Sequence, residues 1–105
     1  MSRTPAEMRL ELHYQSRVVA CYADRPGTLD QLLREAVARA PQRAAFVAGS
    51  QRLTYAEVDA RTTTIARNLL ASGLSPGERI GLMIGNRIEM VLALLGAIRA
   101  GLVVV

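Results

Sequence analysis

The stretch Arg79–Val105 constrains this chain more than any other: RIGLMI, GN, RIEMVLALLGAIRA and GLVVV follow one another without a break. Arg79–Ile84 is a short apolar run bounded by Gly77 and Gly85, the pattern of a strand buried on both faces. Asn86 offers a side-chain oxygen to the first free N–H groups of a helix and Glu89 can reach back, a capping box in asparagine form. Met90–Ile98 carries no charge. On a wheel of about 100° per residue, Ile88, Met90, Val91, Leu92, Leu94, Leu95 and Ile98 spread over roughly 200°. Ala93, Gly96, Ala97 and Ala100 fill most of the remaining arc, where another element can come close. Such a helix requires cover on more than one side. Gly101 stands where a left-handed cap would end it, and Leu102–Val105 is apolar and largely β-branched. Strand, crossover helix and second apolar strand make a βαβ unit, expected to be parallel and right-handed. The expected fold class is α/β.

Energetics extend that reading. Half-exposed large side chains on such a helix forfeit about 1.5–3 kcal/mol each, and several such losses rival the ~5–15 kcal/mol that holds a domain together. An unpaired apolar strand edge also recruits other chains. The expectation is a front portion of a larger domain.

Composition narrows the function. Half of the 105 residues are hydrophobic, so the chain is built to fold. The net charge is +4, yet all 13 basic residues are arginine, spread singly from Arg3 to Arg99 with few aromatics beside them. Nucleic-acid binding needs clustered basic residues, so the arginines read as a solvated surface and no nucleic-acid partner is expected. Cys21 is the only cysteine and His13 the only histidine; neither a disulfide framework nor a zinc motif follows, and both read as ordinary packing or surface residues. The amino terminus carries charges throughout, unlike a signal peptide, and Met90–Ile98 is far short of the ~20 residues of a membrane span. A soluble, cytoplasmic protein without a membrane span is expected.

Upstream of the central unit, Thr4-Pro5-Ala6-Glu7 has the marks of a helix start. Met8, Leu10, Leu12 and Tyr14 alternate as in a strand, while Met8, Leu12, Val18, Val19 and Tyr22 suit a helix; a helix is favoured, ending before the turn Asp24-Arg25-Pro26-Gly27. Thr28 caps a second helix with Leu29, Leu32, Leu33, Ala36, Val37 and Ala40 inward, and Pro41 ends it. Ala44–Ala48, Gly49-Ser50 and Gln51–Leu53 form an edge hairpin. Thr54-Tyr55-Ala56-Glu57 is a capping box opening a helix through Ser72, with Tyr55, Val58, Ile65, Ala66 and Leu69 inward and Gly73 at its end.

Two motifs mimic chemistry. Gly73-Leu74-Ser75-Pro76-Gly77 matches GxSxG, but a nucleophile elbow needs strand, turn, helix, and here the predicted order is helix, turn, strand. Pro76 also lacks the N–H that would serve an oxyanion hole. Gly85-Asn86 at a helix start reads as a turn and a cap rather than a phosphate site, since neither GxGxxG nor GxxxxGK[ST] is present.

In this order the pieces resemble the N-terminal region of the adenylate-forming enzymes: acyl-CoA synthetases, aryl acid ligases and peptide-synthetase adenylation domains. The match begins with TLDQLLREAVARAPQRAAFV from Thr28 and sharpens at Leu53-Thr54-Tyr55-Ala56-Glu57-Val58, similar to the family's first core motif. It continues through Leu74-Ser75-Pro76-Gly77-Glu78-Arg79-Ile80 and Gly85-Asn86-Arg87-Ile88-Glu89. It ends at Ile98-Arg99-Ala100-Gly101-Leu102-Val103-Val104-Val105, similar to the second core motif, with Arg99 at its lysine-like position.

The resemblance implies residues 1–27 as an N-terminal arm and residues 28–105 as the start of a truncated AMP-binding (adenylation) large domain, helices around a partial sheet. It implies a two-step ligase: a carboxylate attacks the α-phosphate of ATP, giving an acyl-adenylate and pyrophosphate, and a thiol such as coenzyme A takes the acyl group. ATP, Mg²⁺ and coenzyme A are thus implied for the full-length enzyme, with a carboxylic acid as substrate. The family's phosphate loop and catalytic lysine lie outside this sequence, so no catalytic, cofactor-binding or metal residue is expected in it, and no productive cofactor binding. The matching motifs serve the fold: Thr54 and Glu57 cap a helix and Gly101 ends one. Two alternatives stand beside this reading: a peptide-synthetase adenylation domain within the family, and a non-enzymatic module that self-associates through its open apolar edge.

Overall fold

The computed structural model describes residues 7–105; the expected helix start at Thr4-Pro5-Ala6 lies outside them. From Met8 onward the expected helix is instead a β-hairpin, with strands β1 (Met8–His13) and β2 (Arg17–Tyr22) pairing antiparallel from Met8↔Tyr22 to His13↔Arg17. Tyr14 (φ 52°) and Gln15 (φ 68°) turn the chain in the left-handed region. Side-chain alternation suits the hairpin: Arg9, Glu11, His13, Arg17 and Cys21 share one face, and Met8, Leu10, Leu12, Val18 and Tyr22 the other. That apolar face is largely exposed, Leu10 at 74%. The hairpin makes its extensive contacts only within itself.

Helix α1 (Leu29–Arg39) starts at Thr28, whose side chain accepts from Gln31 N, and its cap at Ala40 precedes Pro41, as the capping signals predict. Its inward face is narrower than expected. Leu33 is buried, but Leu29 and Leu32 are about half exposed, because the helix meets the body along the line of Leu33 and Asp30. Strands β3 (Ala44–Ala48) and β4 (Gln51–Thr54) form the expected hairpin, with an irregularity between Ala44 and Phe46. Helix α2 (Tyr55–Ala71) opens on a complete capping box: Glu57 N donates to Thr54 Oγ1 at 3.2 Å and Thr54 N to Glu57 Oε1 at 3.0 Å.

The central unit is present in shortened form. Strand β5 (Arg79–Ile80) pairs parallel with β6 (Val103–Val104), and helix α3 (Ile88–Arg99) connects them. The strand expected over Arg79–Ile84 is cut to its first two residues; Met83 is wholly exposed, because among the described residues β6 is the only neighbour β5 has. The helix start also shifts by one residue. Arg87, not Asn86, is the N-cap, and no side chain caps it. Gly101 ends α3 at φ 82°, and Gly77 N donates to Gly101 O at 2.8 Å, tying the turn before β5 to the turn after α3.

The spine of the body is α2 against α3. Leu33, Leu53, Val58, Ile88, Leu92 and Leu95 form one buried cluster, and Ala66, Ala97, Ala100 and Leu102 a second beside the β5–β6 ladder. The small-residue arc of α3 is where α2 comes close, with Gly96 facing Ile65.

Candidate functional site

Two polar constellations are built into this scaffold, and neither is written into a local motif. The first centres on Arg99, at the end of α3. Its side chain is 5% exposed, which corrects the reading of every arginine as solvated surface. Arg99 Nε donates to Asp30 Oδ1 at 2.6 Å, and Nη1 donates to Asp59 Oδ1 at 2.7 Å, Thr63 Oγ1 at 3.0 Å and the Asp59 carbonyl at 3.2 Å. Asp30 also accepts from Arg34 Nε at 2.7 Å. One guanidinium therefore joins α1, α2 and α3. Burial works against the Arg99 charge, but the two carboxylates outweigh it and its pKa is raised. Burial likewise pushes the Asp30 carboxyl up, and Arg34 and Arg99 hold it down by more, so its net shift is downward. Among the described residues Arg99 Nη2 is buried without a hydrogen-bond partner, while Nε and Nη1 are paired to the two carboxylates in a node that ties the three helices together.

The second lies on the polar face of the β1–β2 hairpin. Arg25 Nη2 and Nη1 donate to Glu11 Oε1 and Oε2 at 2.8 and 2.9 Å, Arg9 Nε donates to Oε2 at 2.6 Å, and His13 Nε2 lies 2.9 Å from Oε1. Arg25, then Arg9 and His13, hold the Glu11 carboxyl well below the usual carboxylate range. Cys21 reaches the same place: donor atoms of Glu11, His13 and Cys21 lie within 4.8 Å of one another. The hairpin pairing, in place of the expected helix, brings His13 and Cys21, which the sequence reads as ordinary packing or surface residues, close to one carboxylate.

The expected motifs behave structurally. Thr54 and Glu57 cap α2, and Gly101 ends α3. Ser75 follows the end of α2 and precedes β5, in the order helix, turn, strand. Among the described residues, one surface cleft of about 240 Å³ is lined by Ala36, Arg39, Arg43 and Tyr55, and another of about 390 Å³ lies beside Arg61, Ile65 and Leu92. Neither brings together an acid, a base and a nucleophile. Thr28 and Thr54 each engage one first-turn amide, of α1 and α2 respectively, and among the described residues the one three-donor group contains sulfur and imidazole, poor ligands for Mg²⁺. No helix among the described residues is long and apolar enough to cross a membrane.

The described elements form part of a mixed α/β domain. Residues 33–105 match the model of the AMP-binding enzyme family, and the chain belongs to that family. It is 42% identical over 73 residues to a linear gramicidin synthase of Brevibacillus parabrevis, covering 70% of this chain and 1% of that protein. Against the medium/long-chain-fatty-acid–CoA/3-oxocholest-4-en-26-oate–CoA ligase of Mycobacterium marinum it is 36% identical, covering 70% of this chain and 14% of the ligase. The fold resembles that of the fatty acyl-adenylate ligase from L. pneumophila, solved with acyl adenylate and pyrophosphate, with a TM-score of 0.70, 25% identity, and coverage of 76% of this chain and 15% of that one. The chain thus spans a small part of each relative it matches. The resemblance carried by Leu53–Val58 and Ile98–Val105 is borne out.

Proposed function

We propose that this chain is the N-terminal portion of an ATP-dependent carboxylate-activating ligase, which forms an acyl-adenylate and then a thioester, and that it is inactive alone. The observation that supports this most directly is the match of residues 33–105 to the AMP-binding family within relatives several times longer. Residues 1–27 serve as an arm, supported by the hairpin's separation from the body, and residues 28–105 as the start of the large domain. In this reading the segment supplies scaffold, with Arg99 holding three helices in register. ATP, Mg²⁺, coenzyme A and the carboxylic acid engage residues outside it, in a cytoplasmic setting.

Carboxylate-dependent ATP–pyrophosphate exchange tests the reading. Exchange at background for this chain, and robust exchange for a longer polypeptide that contains it, is the expected pair of results. Clear exchange by the 105-residue chain itself would overturn the proposed inactivity. The likeness to the linear gramicidin synthase supports a peptide-synthetase adenylation domain as the alternative inside the family. The exposed apolar face of the hairpin favours a second role in self-association; a concentration-independent monomer mass by light scattering would remove it.

A further inference from the structure

The sole histidine and the sole cysteine of the chain meet on one face of one hairpin, together with a carboxylate. Nothing in the ligase chemistry above uses them. Glu11 and His13 are two positions apart on β1, so their side chains project on the same side, and Cys21 stands across the ladder opposite Arg9. All three are partly buried, which leaves an entry path from solvent.

We propose that Glu11, His13 and Cys21 form a binding site for a borderline divalent transition-metal ion such as Zn²⁺ or Co²⁺, with water completing a tetrahedral set. Bonds of about 2.0–2.3 Å place tetrahedral ligand atoms roughly 3.3–3.8 Å apart. The observed donors all lie within 4.8 Å of one another, near that spacing, on the paired β1–β2 ladder. The donor set of one sulfur, one imidazole nitrogen and one carboxylate oxygen selects against Mg²⁺ and Ca²⁺ and for Zn²⁺ or Co²⁺. Binding requires the thiolate, so the Cys21 proton passes to solvent as the metal–sulfur bond forms.

The arginines add a second, opposing effect. Arg25 spans both Glu11 oxygens at 2.8 and 2.9 Å, and Arg9 adds a third donor at 2.6 Å. A guanidinium therefore already occupies the cationic place on this carboxylate. An entering ion must take it over, so Arg25 acts as a competitor. Removing Arg25 should tighten metal binding, an outcome opposite to that of removing a ligand.

The test is titration of the tag-free, reduced, intact chain with Co²⁺, following the ligand-field bands and the thiolate-to-cobalt charge-transfer band, then displacement by Zn²⁺. One saturable equivalent with the charge-transfer band is expected. Cys21→Ser should abolish that band, and Cys21→Ser and His13→Ala should each weaken binding by about a hundredfold or more. Arg25→Gln should tighten it about tenfold, the worth of a charged bidentate contact. Absence of the band, affinity unchanged in C21S or H13A, weaker binding in R25Q, or the same spectrum in denaturing urea would each overturn the site. None of these readouts depends on ligase activity.

Discussion

A Cβ placed on Gly96 would lie 2.7 Å from Ile65 Cβ and nearer still to Ile65 Cγ2. The closest approach of α3 to α2 is thus set by the missing side chain of one residue. Gly96→Ala should gain about 0.8–1 kcal/mol of helix propensity but lose more to overpacking, about 1–3 kcal/mol, since the clash reaches the stiff base of a β-branched side chain. A net loss of about 1 kcal/mol in urea unfolding is expected. Ile65→Ala removes Cγ2 and leaves Cβ, so the double variant should fall short of additivity by at least ~0.5 kcal/mol.

Arg99 has its head group paired to Asp30 and Asp59 and is 5% exposed. Arg99→Ala should cost about 2–4 kcal/mol, somewhat below the figure for a fully buried pair because both aspartates keep some access to water. Arg99→Lys keeps the charge but cannot bond both carboxylates in the same fork geometry, and should recover only part of that loss. Denaturant midpoints of the two variants check this. Equal midpoints for Arg99→Ala and the parent would refute the node.

The α2 capping box provides a separate handle. Thr54→Ala removes the acceptor for Glu57 N and should destabilise the chain by about 1–2 kcal/mol. Glu57→Gln retains an oxygen for Thr54 N and should cost far less. Helix content by circular dichroism, followed through thermal melts, separates the two.

Acid should weaken the fold through particular carboxylates. Asp30 is shifted downward on balance, burial opposing and Arg34 and Arg99 prevailing, while the Thr54 amide and hydroxyl lower Glu57. A folded pKa below the unfolded one adds stability that is present above the unfolded value and is lost as pH falls through the folded one. The urea midpoint should therefore hold from about pH 7 to about pH 5 and decline below about pH 4. Asp30→Asn should start lower and decline less.

The β1–β2 turn is strained. Tyr14 and Gln15 both sit at positive φ without being glycine, at about 1–2 kcal/mol each. Gln15→Gly removes one such cost and adds flexibility to the unfolded chain, leaving a net gain of about 0.5–1 kcal/mol. Slower amide hydrogen exchange across Arg17–Tyr22 would report it; faster exchange would contradict the turn geometry.

Features whose physics is local can be read from the chain. Thr28, the Thr54–Glu57 box, the Gly49-Ser50 hairpin and Gly101 each act within a few residues, and each stands where the pattern places it. The Met8–Tyr22 segment is ambiguous in sequence because its turn carries Tyr14-Gln15 rather than Asn-Gly, and the helix-start signature upstream tips the balance the wrong way. Thr62 is fully buried, its hydroxyl without a partner among the described residues, and a threonine within TTT gives no sign of that. Arg99 is misread because its partners lie 40 and 69 positions away. The hairpin cluster stays hidden because it exists only once β1 and β2 are in register.

The tie between Asp30 and Arg99 also orders events in time. Most of the extensive contacts join elements close along the chain: β1 with β2, β3 with β4, and α2 with α3 across the short β5 segment. These close short loops and form fast. The Asp30–Arg99 contact closes a loop of 69 residues and helps Leu33 seat α1, whose Leu29 and Leu32 are about half exposed. Loop closure over that span carries a larger entropic toll than any hairpin, so the Asp30–Arg99 tie is expected to form after the hairpins and α2–α3 pairing, and to be lost before them on unfolding. A rapid pull on the amino-terminal side would peel α1 away at low force while α2 and α3 stayed zipped.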